Sequence, residues 1–97
     1  MKAKFSSEAI ADVREIYRYL DTESPSARRG FEDRLARVIK DARDFPYGGR
    51  STDSPDIRVR NTIPFAYLVY YEVRPSGVIV LRVMHGARNP KSMPARG

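Results

Sequence analysis

Four residues of this 97-residue chain, Arg58, Arg60, Arg82 and His85, are of the types that act on a phosphodiester. Arginine holds phosphate oxygens through a planar two-pronged fork and can stabilise a phosphorane-like transition state. Histidine titrates nearest neutrality, so it can give or take the proton. Such a set would make a metal-free ribonuclease centre, with Arg88 close by in sequence. The same residues have a plainer reading. His85 hydrogen-bonds the backbone at a strand end, Gly86 supplies a turn, and the arginines pair with carboxylates of a protein partner. Other chemistries lack their residues. There is no glycine-rich phosphate loop and no GxSxG elbow. One histidine and no cysteine leave no zinc site and no disulfide. No cofactor is expected, and the acidic residues fall mostly on predicted helix exteriors, as solvated charge.

Aromatic residues suggest a second function. Phe65, Tyr67, Tyr70 and Tyr71 cluster in sequence and could stack the bases of single-stranded RNA. A tyrosine-rich strand is more often half-buried core whose hydroxyls reach the surface. Charge points the same way as the arginines. Residues 1–57 hold 11 Lys+Arg and 11 Asp+Glu, whereas residues 58–97 hold seven basic residues and Glu72 alone. The whole excess of +6 is therefore C-terminal, and a segregated field attracts nucleic acid, an acidic protein surface or a membrane.

Strands must carry these side chains, and the hydrophobic period supplies them. Ile57-Arg58-Val59-Arg60 alternates, residues 66–73 are rich in Tyr and Val, and residues 78–84 are a nearly continuous aliphatic run. Arg74-Pro75-Ser76-Gly77 is a hairpin turn. Upstream, the apolar spacing predicts helices over 7–20 and 25–45, the second opened by Ser24-Pro25 and closed by Pro46. Gly30, inside the second helix, allows a close helix–helix contact or is merely tolerated. Residues 2–5 make a short strand, 46–56 a loop, and 86–97 a flexible basic tail. The expected fold is α+β in two layers: a helical hairpin on one face of a small antiparallel sheet. Strict alternation in the last strand puts Val78, Val80, Arg82 and Met84 on one face and Ile79, Leu81, Val83 and His85 on the other. The face without helices would then be apolar and studded with arginines. That surface is a groove for a partner segment, unless the tail or a second copy covers it.

Length fits one domain over 1–97, and 41% hydrophobic with 31% charged residues is a globular composition. No signal peptide and no membrane span is read, and cysteine is absent, so a cytoplasmic protein away from the membrane is expected.

The sequence resembles the ParE/RelE toxin superfamily, in its ParE (plasmid-stabilisation) branch. The opening run from Phe5 to Leu20 is similar to that family's first strand and helix, and Phe45-Pro46-Tyr47-Gly48-Gly49-Arg50 to its Pro-x-x-Gly-Arg turn. Tyr67-Leu68-Val69-Tyr70-Tyr71 resembles the middle strand. The most specific match is Leu81-Arg82-Val83-Met84-His85-Gly86-Ala87-Arg88, which resembles the family's closing motif. The resemblance implies the toxin of a type II toxin–antitoxin system, neutralised by a ParD-like antitoxin that wraps it and touching operator DNA only through that antitoxin. It implies DNA gyrase as the target, contacted by Arg82, His85, Arg88 and the tail. The RelE branch instead cuts mRNA on the ribosome, here with Arg58, Arg60, Arg82 and His85. No lysine lies between 41 and 90, and no Tyr or His follows Asn89, which weakens the ribonuclease reading. Either target leaves the open sheet face for an acidic antitoxin segment, at Arg58, Arg60, Tyr70, Val80 and Arg82.

Overall fold

The computed structural model describes residues 2–87. Serine hydroxyls start both helices. Ser6 accepts from the Ala9 N–H at 3.0 Å and opens α1 (Ser7–Glu23); Ser24 accepts from the Ala27 N–H at 3.0 Å and opens α2 (Pro25–Asp44). The backbone N–H of Ser24 also closes α1 by donating to the Leu20 carbonyl. One residue therefore turns the whole helical hairpin. α1 runs three residues past its expected end, because Ser24 caps it and nothing in Asp21-Thr22-Glu23 stops a helix earlier.

The strands are β1 (Lys2–Phe5), β2 (Arg50–Ser51), β3 (Ile57–Thr62), β4 (Phe65–Arg74) and β5 (Gly77–His85). They form one five-stranded sheet in the order β1-β5-β4-β3-β2. The sheet is mixed rather than antiparallel throughout: β1 lies parallel to β5, and the others pair antiparallel. A short 3-10 turn (Pro46–Gly48) and β2 both lie inside the expected loop.

A β-bulge resets the last strand. Tyr71 faces Val80 and Tyr70 faces Arg82, so Leu81 is the extra residue. Strict alternation therefore fails. Val78, Val80 and Val83 all turn to the helices, and Leu81 and Met84 turn away. The core closes around Phe31, fully buried, with the rings of Tyr17, Phe65 and Tyr67 edge-on at 6.0, 5.5 and 5.3 Å. Gly30 serves this cluster and not a helix–helix contact: a Cβ there would lie 3.2 Å from the Phe65 ring. Among the described residues, no helix is long and apolar enough to cross a membrane, and no group of three or more His, Asp or Glu could hold a metal ion.

Candidate functional site

The residues singled out in the sequence part into two groups at opposite edges of the sheet. Arg58 and Arg60 pair across β3 with Tyr71 and Val69, which face the helices. They turn under the end of α2 and not onto the helix-free face. The Arg60 Nη2 donates to the Phe45 carbonyl at 2.6 Å and to the Asp41 carbonyl at 3.4 Å, so its cation caps the negative end of α2. Its Nε donates to the Tyr71 hydroxyl at 3.1 Å, and that buried hydroxyl donates to the Pro46 carbonyl at 2.6 Å. Arg58 lies 5.0 Å over the Tyr47 ring and donates to the Gly49 carbonyl at 3.3 Å. This crowding explains the glycine pair. A Cβ on Gly48 would lie 2.8 Å from the Arg60 Nη2, and one on Gly49 would lie 2.6 Å from the Tyr71 hydroxyl.

Arg82 is committed on the other edge. β1 pairs with β5 only as far as Val80, so the edge beyond it has no partner strand. Asp12 of α1 takes that place. Its Oδ2 accepts from the Val83 N–H at 2.9 Å and from the Arg82 Nε at 2.7 Å, and its Oδ1 accepts from the Arg82 Nη2 at 3.1 Å. The Asp12 and Arg82 side chains are 15% and 28% exposed, so the pair is partly shielded from water. Hydrogen bonding to Asp12 pushes the Arg82 guanidinium further above its ordinary value.

His85, exposed at the end of β5, stands edge-on to Tyr67 with ring centres 5.7 Å apart. Its Nδ1 accepts from the Ala87 N–H at 3.1 Å. That bond occupies Nδ1 and leaves Nε2 as the ring nitrogen open to a partner. Beside it opens a cleft of about 170 Å³ lined by Asp12, Glu15, Tyr19, Tyr67 and Arg82. Two carboxylates on that wall oppose a phosphate. Burial pushes the Tyr67 phenol up, so it stays a hydroxyl at neutral pH.

The four residues that the alternative ribonuclease reading names sit on two strands with β4 between them. β4 separates Arg60 from Arg82, two strand spacings or roughly 10 Å. Two further expectations are corrected. Val80 is 0% exposed in the core, because the bulge turns it to the helices, so it offers no antitoxin surface. Phe65, Tyr67 and Tyr71 also face the helices, which leaves Tyr70 alone of the four rings on the far side. That far face carries Val59, Leu68, Tyr70, Leu81 and Met84, but also buried Glu72, which pairs with Arg74 at 2.7 Å. It is not bare, since Val59, Leu81 and Met84 are buried, and Arg58, Arg60 and Arg82 are not spread across it. Arg88 and the tail lie outside the described residues. Sequence reasoning missed Asp12, counting it among the solvated acids of the helix exteriors. Its position three after buried Ala9 and four before buried Ile16 puts it on the rim of the apolar stripe, which was the available signal.

Residues 3–90 match the family model described as the ParE toxin of the type II toxin–antitoxin system parDE. The fold matches a solved structure of a chromosomal ParDE toxin–antitoxin system from P. aeruginosa. That match is 19% identical and covers 88% of this chain and 95% of that chain, with a TM-score of 0.73. No curated protein matches the sequence.

Proposed function

Because the chain belongs to the ParE toxin family of type II toxin–antitoxin systems, we propose that it arrests growth by binding DNA gyrase, and that a ParD-type antitoxin wrapped around it keeps it silent. One observation carries the choice of binding over cleavage. Arg60 and Arg82 are each tied down by their own chain at opposite edges, and the His85 Nδ1 is taken up by the Ala87 N–H. Groups held this way recognise a surface; they do not converge on a scissile bond.

The target contacts in this reading are Arg82 and His85 of β5, together with Arg88, which follows them in the sequence. The antitoxin contacts centre on half-buried Tyr70 and its half-buried neighbour Leu68, with operator DNA left to the antitoxin. Ribosome-bound mRNA is the other target to test. Purified chain is added in parallel to a gyrase supercoiling reaction and to cell-free translation. Micromolar protein should stop supercoiling, spare translation, and lose its effect when antitoxin is added. Intact supercoiling with translation lost would reverse the assignment. Tyr70→Glu should weaken capture of the antitoxin while leaving gyrase inhibition in place.

A further inference from the structure

A cleft of about 350 Å³ opens between α2 and β3, lined by Arg34 and Asp41 of α2, by Arg50, and by Arg60 and Asn61. β2 pairs only with Arg58 and Val59, so the edge of β3 from Arg60 onward is open toward it. Three guanidinium groups face one carboxylate there. The central one is already rigid. Arg60 is held through Nε on the fully buried Tyr71 and through Nη2 on the carbonyls that end α2, and among the described residues no hydrogen bond occupies its Nη1. Those bonds also cover the carbonyls whose partial negative charge would repel an anion. Gly48 and Gly49 line the cleft, and side chains on them would collide with Arg60 and Tyr71.

We infer that this cleft binds a phosphate group, held by Arg60 and clasped by Arg34 and Arg50. A carboxylate is filled by one guanidinium fork, whereas the oxygens of a phosphate accept several. The phosphate belongs either to a free phosphorylated molecule or to a nucleic-acid backbone. The inference is independent of the gyrase reading, because binding is measured on the isolated chain.

The test is calorimetric titration of the full chain with pyrophosphate and with a single-stranded oligonucleotide, at two salt concentrations. Arg34 is half-buried and Arg50 exposed, so Arg34→Gln/Arg50→Gln should fold, which urea denaturation checks. Arg18→Gln/Arg29→Gln removes the same charge from exposed positions away from the cleft. The cleft pair should weaken binding about tenfold or more, and the control pair should not. Pyrophosphate bound as tightly as the oligonucleotide assigns the site to a free phosphorylated molecule. An oligonucleotide bound far more tightly, with its log–log salt slope shallower by about 0.7 for each phosphate the variant no longer neutralises, assigns it to a backbone. Absence of binding to both probes, or equal weakening in both variant pairs, overturns the inference.

Discussion

Asp12 completes the edge of β5 that β1 leaves open, accepting the Val83 N–H and both prongs of the Arg82 guanidinium. A helix side chain thus does the work of a missing strand, next to the bulge at Leu81.

Asp12→Ala should lower stability by about 1.5–3 kcal/mol, since three charge-assisted bonds go and Arg82 is left without its counter-ion. Asp12→Asn keeps an oxygen for the Val83 N–H and should cost less. Urea unfolding separates the two, and equal costs would show that the Val83 bond contributes nothing. Arg82→Glu sets a second carboxylate against Asp12, so it should unfold the edge before it reports on any partner.

Tyr71→Phe removes a hydroxyl that is both donor to the Pro46 carbonyl and acceptor from Arg60. The expected cost is about 1–3 kcal/mol, because the part-buried partners are left unpaired. Thermal unfolding of the full chain measures it, and an unchanged midpoint would show that water replaces the hydroxyl.

Gly49→Ala should destabilise by about 1–3 kcal/mol, as expected for an overpacked site. Its Cβ would lie 2.6 Å from the Tyr71 hydroxyl and 3.1 Å from the Val59 carbonyl oxygen, and backbone cannot move aside cheaply. Stability equal to wild type would mean that the turn has slack.

Burial raises the Tyr17 and Tyr67 phenols above their ordinary value of 10.0. The unfolded chain then ionises first as pH rises. Their contribution is whole below pH 10 and is lost as pH climbs through the raised values. Urea midpoints taken from pH 8 to 11.5 should fall above 10, and Tyr67→Phe should flatten the fall. An identical slope in that variant would assign it to other groups.

The helices were legible because Ser24-Pro25 and Pro46 mark their ends chemically, and the meander because Ile57 to Arg60 alternates. The bulge at Leu81 was not legible. Val78 to Met84 is apolar on both faces, so no polar residue marks where the alternation slips, and one extra residue moved Val83 to the core and Arg82 to Asp12. β2 and the placement of Arg58 and Arg60 were hidden for a related reason. Two residues carry no period, and an arginine on a strand does not announce whether it faces water or caps a helix. The family was legible in the closing run from Leu81 to Arg88, but the geometry around it was not.

The most direct measurement is the amount of gyrase-cleaved plasmid that accumulates when purified chain is added, with His85→Ala and ribosome-bound mRNA assayed alongside. Binding to gyrase predicts more cleaved plasmid with wild type, a weaker but persistent effect with His85→Ala, and intact mRNA. Uncleaved plasmid together with cut mRNA, abolished by His85→Ala, would contradict it.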